Sequence, residues 1–325
     1  MKNGGLVSKA RNRGFLVYEL NFRRSGWVVC LFRLLWLIRR HRIELINTHS
    51  SLDAWIGGIA ARLSGITIVR TRHLSTAIKK GWNSRFLYGM LADFVVTTCS
   101  SAIPMIAKQS GKPLSNCRSI ATGVEPERLV VCSEERIRFR RELGLNEGDF
   151  LVGTACFMRS WKGIDDLLLA AHRLRHFSDL KWVIIGGGHV ERHKIKWKEL
   201  ELEGIVHFTG HLENPFPGIA AMDAFALLST ANEGVSQAIL QAAYLGRPLI
   251  ATPVGGLCEV CIDRKTGLQV PPFDPEAVAR AVLELKENRA LREQLGEGAH
   301  RLAMEQFTME RTLDQMEDAY RLALR

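Results

Sequence analysis

Two hydrophobic rhythms alternate along the chain. Short apolar or alternating runs at Phe15–Leu20, Glu44–Thr48, Thr67–Arg70 and Phe94–Thr98 read as strands. Between them, helical spacing predicts helices over Val28–Arg40, Leu52–Leu63 and Trp82–Leu91. The alternation resumes with strands at Leu151–Ala155, Lys181–Ile185, Val206–Thr209, Ala224–Leu228 and Pro248–Ala251, and with helices that include Ile164–Arg175 and Ser236–Leu245. A charged helical stretch, Ser133–Leu143, follows a boundary near Ile120–Pro126, and Pro275–Arg325 reads as three helices with no further strand. Strands alternating with helices build parallel sheets with crossover helices. Two such stretches in 325 residues predict an α/β protein of two Rossmann-like halves facing each other across a cleft. Ligands of such sheets sit at the carboxyl ends of the strands.

Composition narrows this picture. Hydrophobic residues make up 46% and charged residues 24%, the balance of a globular protein. The longest apolar stretch, Trp27–Ile38, is interrupted by Arg33 and falls short of the ~18 apolar residues of a membrane span. No signal-peptide pattern is expected, and seven scattered cysteines predict a reducing, cytoplasmic setting. Charge is segregated. Residues 1–130 carry 20 Lys+Arg against 6 Asp+Glu, and the remainder carries 24 against 28. The basic part suits an anionic acceptor, or peripheral contact with the inner face of a membrane, or simply a solvated surface. Val28–Arg40, apolar with basic ends, fits either an interfacial helix or a crossover helix packed on a sheet. No zinc-finger spacing or aromatic RNA-binding pattern is present, so nucleic acid is not an expected partner.

Four clusters in the second half carry candidate chemistry. Phe157-Met158-Arg159-Ser160-Trp161-Lys162-Gly163 joins a strand to a helix. Arg159 and Lys162 beside a helix N-terminus would cradle a diphosphate, or else be two surface charges. Asn232-Glu233-Gly234-Val235-Ser236-Gln237 follows another strand. Glu233 could accept hydrogen bonds from hydroxyls or cap a helix, and the N–H groups of Gly234 to Gln237 could face phosphate. Gln237 and Gln241, four residues apart, share a helix face. Gly186-Gly187-Gly188 would let backbone approach a ligand, although it lacks the G-x-G-x-x-G spacing and most such runs are turns. Thr252-Pro253-Val254-Gly255-Gly256, with Glu259, and Thr266–Pro272 read as loops. Cys258-x-x-Cys261 has no second ligand pair nearby and no D-x-D motif occurs, so neither a metal nor another cofactor is expected.

The order RSWKG, IIGGG, FTGH, NEGVSQAILQAAYLGRPLIAT, VGGLCEV, TGLQVPPFDPEAVARAV resembles the C-terminal domain of retaining GT-B glycosyltransferases of family four. The resemblance implies a metal-independent transfer of a hexose-type sugar from a nucleotide diphosphate-sugar. Arg159 and Lys162 would bind the donor diphosphate, Glu233 would contact the sugar, and Gly234, Val235 and Ser236 would offer N–H groups. Gly186, Gly187, Gly210 and His211 would border the nucleotide. Two positions depart from the family pattern. Its second Glu, which holds the ribose, is Gln241 here. Its usual Arg stands at Phe157, with Arg159 displaced by two.

RIELINTHSSLDAWIGGIAARLSGITIVRTRHLS extends the resemblance into the first half. It places His73 beside the donor sugar as a catalytic residue; His49 follows the preceding strand on the acceptor side, and Arg70 and Arg72, which flank His73, could meet an acidic acceptor. Either histidine could instead be bonded to loop backbone. The resemblance divides the chain into an acceptor-side domain (1–130), a donor domain (131–307) and a helix crossing back (308–325). It also predicts that the first strand, glycine-rich loop and helix of the N-terminal domain are absent, leaving that domain incomplete. The acceptor implied is a glycan or lipid-linked hydroxyl of lipopolysaccharide or polysaccharide synthesis. A donor-binding remnant without turnover, and a GT-B nucleotide-sugar epimerase, are the alternatives.

Overall fold

The structure is a computed structural model that describes residues 5–20, 26–73, 78 and 81–325. The strands are β1 (Leu45–Thr48), β2 (Thr67–Arg72), β3 (Phe94–Thr97), β4 (Cys117–Ser119), β5 (Phe150–Ala155), β6 (Leu180–Ile185), β7 (Val206–Gly210), β8 (Ala224–Leu227), β9 (Leu249–Ala251) and β10 (Gly267–Gln269). The helices are α1 (Gly5–Asn12), α2 (Trp27–His41), α3 (Ser51–Ser64), α4 (Trp82–Ser84, continued as a π-helix over Arg85–Leu91), α5 (Ala102–Ser110), α6 (Ser133–Glu142), α7 (Ile164–Arg173), α8 (Val190–Glu199), α9 (Phe216–Ala221), α10 (Gln237–Tyr244), α11 (Pro275–Glu287), α12 (Arg289–Gln306) and α13 (Met309–Ala323).

Two parallel sheets result, one in the order β1-β2-β3-β4 and one in the order β10-β9-β8-β5-β6-β7. The α/β architecture of two halves, each with a parallel sheet, is therefore as the sequence implies. Strands covered on both faces are buried along their whole length, as in β3, β5 and β8. On one face of the larger sheet Leu151, Val183, Phe225 and Leu249 pack against α9 and α10 residues such as Ile219 and Ile239. On the other, Val152, Trp182, Ala226 and Ile250 pack against α7 and α11 residues such as Leu168 and Val282.

Helix ends follow the local sequence. The Asp53 carboxylate accepts the N–H groups of His49 and Ser50 at 2.9 and 2.7 Å and fixes the start of α3 right behind β1. Asp274 and Asn288 cap α11 and α12 through the N–H groups of Ala277 and Leu291, contacts of about 1 kcal/mol each. After Thr308, α13 crosses to the smaller sheet, where Ala319 packs among Val69, Phe94, Val96 and Ile120. The two chain crossings touch. Val124 N–H donates to Phe307 O and Met309 N–H to Val124 O, both at 2.8 Å. Gly123 permits this contact, since a Cβ there would lie 2.2 Å from Thr308 O.

Three expectations differ from the observed fold. Phe15–Leu20 is not a strand: it has no regular structure and no sheet partner among the described residues, and Phe15 and Leu16 are 66% and 76% exposed. Alternation alone does not make a strand, because its backbone groups need a neighbouring edge. Here the segment is tied instead by Tyr18 Oη to His41 Nε2 at 2.7 Å and by the Arg11–Glu19 ion pair. Trp82–Leu91 is helical but widens into a π-helix, and Gly89 faces Ser110 O so closely that a Cβ would meet it at 2.6 Å. Finally, the Thr266–Pro272 stretch is not all loop, since β10 lies within it. Among the described residues, no helix is long and apolar enough to cross a membrane.

Candidate functional site

The loops after β5 and β8 meet at the carboxyl end of the larger sheet. Gly163, at φ +66°, starts α7 and passes close under β8, where a Cβ would lie 2.0 Å from Leu228 O. Thr230 N–H donates to Trp161 O at 2.8 Å, which ties the two loops together. This places Lys162 against Glu233, and Lys162 Nζ donates to Glu233 Oε1. Ser229 Oγ donates to the same oxygen at 2.7 Å. The Lys162 and Glu233 side chains are only 15% and 7% exposed, so the pair is largely desolvated. Asn232, just before Glu233, adopts the left-handed conformation at φ +59°. Gly255 and Gly256 lie beneath the same turn, and a Cβ on Gly255 would fall 1.8 Å from Glu233 O.

This turn also meets the smaller sheet. Val235 N–H donates to Thr98 O at 3.0 Å, and a Cβ on Gly234 would sit 2.4 Å from Thr98 Oγ1. Glu259 accepts from Ser100 N–H at 2.6 Å and from Ser100 Oγ at 3.3 Å, while Gln237 Nε2 donates to Thr122 O. Burial pushes the Glu259 carboxyl above its ordinary value, and the Ser100 bonds oppose that. Between the two sheets lies a cleft of about 450 Å³. His73, Thr98 and Thr122 line one side, and Arg159, Lys162 and Glu233 to Ala238 the other. Cys156 lies at its floor with its thiol pushed up to about 11 by burial.

The structure thus brings His73, Arg159, Lys162, Glu233, Gly234, Val235 and Ser236 into one cleft. The Val235 N–H, expected to be available to a phosphate, is engaged by Thr98 instead. His49 stands behind His73, with ring centroids 5.2 Å apart and Nδ1 of His49 2.9 Å from Nε2 of His73. Burial, then the neighbouring His73, lowers the His49 pKa, with Asp53 opposing. Gly186 and Gly187 border the β5 loop: Met158 N–H donates to Gly187 O at 2.7 Å, and Gly186 N–H to Gly210 O at 2.8 Å. His211 is exposed, and its Cβ lies 3.8 Å from where a Cβ on Gly187 would stand.

Other expected residues sit apart. Gln241 lines an adjoining cavity of about 80 Å³ with Glu125, Arg128, Phe216 and Gln237, the last of which also lines the cleft. Arg70 is buried, its guanidinium 4.2 Å from the Tyr88 ring centre, and burial lowers its pKa. Arg72 Nη1 donates to Tyr88 Oη at 2.6 Å. Neither arginine lines the cleft. Ser229, Thr98, Ser100 and Glu259 escaped sequence reasoning as site residues, since hydroxyls after strands and one loop carboxylate carry no spacing signal. Of the Cys258-x-x-Cys261 pair, Cys261 is buried and Cys258 exposed.

The family model of glycosyl transferases group 1 matches residues 135–302, and that of Glycosyltransferase Family 4 matches residues 7–128. N-acetyl-alpha-D-glucosaminyl L-malate synthase of Bacillus anthracis is 26% identical over 295 residues, covering 88% of this chain and 77% of its own. O-antigen chain mannosyltransferase C of Escherichia coli is 30% identical over 217 residues, covering 62% of this chain and 52% of its own. A glycosyltransferase of Rickettsia africae ESF-5 superposes with a TM-score of 0.90 at 18% identity, over 99% of this chain and 89% of that one. The Anabaena protein HepE, solved with UDP and glucose, superposes with a TM-score of 0.83 at 19% identity, over 98% and 89%. The first model alone spans just over half of the 325 residues, and the chain therefore belongs to the glycosyl transferases group 1 family, as a glycosyltransferase of the GT-B, family-four type.

Proposed function

We propose that this chain moves a hexose-type sugar from a nucleotide diphosphate-sugar to a hydroxyl of a glycan or lipid-linked acceptor, with retention and without a metal. The observation that carries this reading is the desolvated Lys162–Glu233 pair facing His73 across one cleft. As the bond from sugar to diphosphate breaks, negative charge grows on the leaving oxygen. Lys162, with Arg159 at the cleft wall, supplies positive charge there, and a positioned donor of this kind contributes about 3–4 kcal/mol to such a transition state. A diphosphate that draws Lys162 towards itself releases Glu233 to accept hydroxyls of the sugar, still held by Ser229. His73 stands with Thr98 and Thr122 on the opposite wall, where the acceptor hydroxyl would arrive. Retention and metal independence rest on the family resemblance.

In this reading residues 1–130 form the acceptor side, 131–307 the donor side, and 308–325 join the two. The nucleotide base lies by Gly210 and His211, with Gln241 at the ribose. UDP is the first nucleotide to test, since HepE was solved with it. The acceptor is anionic, to suit the basic first part, and belongs to lipopolysaccharide or polysaccharide assembly, which the O-antigen relative supports. Peripheral contact with the inner face of a membrane is supported by Trp27, Phe32 and Trp36, exposed on α2, whose last turn holds Arg39 and Arg40. A second reading, donor binding without turnover, is favoured by the uncharged Gln241 standing where the family pattern has its second Glu. Paired assays separate the two. Nucleotide binding together with release of nucleoside diphosphate on an acceptor extract supports transfer. Binding with no turnover on any extract supports the second reading, and epimerisation of the donor without acceptor contradicts transfer.

A further inference from the structure

A second concavity, of about 500 Å³, opens on the outer side of the β5–α7 loop. Arg159, Trp161 and Phe157 line it as they line the cleft, and His189, Arg192 and His193 come from the start of α8. No carboxylate lines it. Asp165, on α7, reaches its edge and organises two of its groups. Oδ1 of Asp165 lies 2.8 Å from His193 Nδ1, and Oδ2 lies 3.8 Å from Arg192. His193 is 2% exposed, and its other ring nitrogen, Nε2, is buried with no hydrogen-bond partner. A buried orphan of this kind is costly, and it marks a place where a partner is expected. The start of α8 has no side-chain cap, so the positive end of its dipole adds to the two arginines.

We infer that this pocket is a second ligand site, distinct from the donor cleft, for a sugar unit that carries a phosphate or a carboxylate. The anion would lie at Arg192, beside the uncapped start of α8, while Arg159 remains with the donor diphosphate. Trp161 and the 59%-exposed Phe157 offer apolar faces to the sugar ring. His193 Nε2, left as an acceptor because Nδ1–H donates to Asp165, would accept a hydrogen bond from a ligand hydroxyl. Because Arg159, Trp161 and Phe157 line both spaces, occupancy of one is felt by the loop of the other.

Calorimetric titration of the full chain with glucose 6-phosphate, glucuronate, inorganic phosphate and glucose tests the assignment. Either glucose 6-phosphate or glucuronate should bind at least ten times more tightly than glucose and inorganic phosphate, and which one does so names the anion. Binding should persist with UDP at saturation. Arg192→Gln, an exposed position, should weaken it at least tenfold and leave UDP affinity within twofold. His193→Gln should weaken it too, and Arg192→Gln alone decides the matter if that second variant does not fold. The inference is overturned by competitive displacement by UDP, by an unchanged affinity in Arg192→Gln, by inorganic phosphate binding as tightly as the sugar anions, or by no binding of either anion at 10 mM, roughly the weakest range that still marks a site. UDP affinity is read separately, so failure of this site leaves the donor reading standing.

Discussion

Replacing Lys162 with alanine removes a cation from two partners at once. In the folded chain Lys162 donates to Glu233, and in the proposed reaction it meets the diphosphate. Glu233 is 5% exposed, so the substitution leaves a buried carboxylate bonded to Ser229 Oγ alone among the side-chain donors described. Breaking one side of a buried pair costs about 3–5 kcal/mol. The remaining 2.7 Å bond from Ser229 and the open mouth of the cleft place the expected loss near the lower end, about 3 kcal/mol. For a unit of this size that lowers Tm by roughly 6–12 °C, at about 2–4 °C per kcal/mol. Glu233→Gln added to Lys162→Ala removes the stranded charge. The double variant should therefore recover part of the loss, with a coupling of at least about 1 kcal/mol in a double-mutant cycle. Chemical denaturation of the four proteins at one pH measures this. Additive losses, within about 0.5 kcal/mol, would refute the claim that the two side chains form one desolvated unit.

Further substitutions probe other parts of the account. Gly187→Ala meets nothing nearer than 3.8 Å, so the fold should keep its Tm while nucleotide affinity falls several-fold; unchanged affinity would show that no ligand approaches that backbone. Gly234→Ala sets a Cβ 2.4 Å from Thr98 Oγ1 and should part the two sheets at that point, seen as faster amide exchange at Val235. Gln241→Glu should bind UDP within about threefold of the parent if the position meets ribose, and a tenfold loss, about 1.4 kcal/mol, would assign it another role. Glu259 has a folded-state pKa above its ordinary 4.5, so its share of stability is complete below that value and is lost as pH rises through the raised one. Glu259→Gln should accordingly match the parent at pH 4 and equal or exceed its Tm at pH 8, and a variant weaker only at high pH contradicts this. His49 has a lowered pKa, so its share is present above 6.5 and fades as pH falls through the lowered value; His49→Gln should flatten the pH 7 to pH 5 decline in Tm.

Much of the fold and part of the site could be read from the sequence, and particular residues show why. β5, β6 and β8 were legible because both of their faces are covered and, apart from Thr154 and Lys181, their residues are apolar or glycine. β4 and β10 were not, because three-residue strands carry no periodicity and exist through their neighbours. The bounds of α8 were not legible, since Val190–Glu199 buries only His193 and shows a nearly polar surface. Phe15–Leu20 misled in the opposite direction, with strand alternation but no paired edge. At the site, Lys162 and Glu233 were legible as charged residues at strand ends. Their bond to each other was not, because it depends on the contact between Trp161 and Thr230 that draws two loops together. Ser229 and Thr98 were invisible for the same reason. Arg70 read as an acceptor contact from its neighbours His73 and Arg72, yet its strand turns it into the layer beneath Tyr88.

The central claim is that Lys162 receives the diphosphate of a nucleotide donor. It is tested most directly by titrating the full chain and Lys162→Ala with UDP and with UMP under identical conditions. The parent should bind UDP at least tenfold more tightly than UMP, a difference of about 1.4 kcal/mol or more, and the variant should lose most of that preference. Equal affinity for the two nucleotides in the parent, or a preference that survives in Lys162→Ala, would contradict the account.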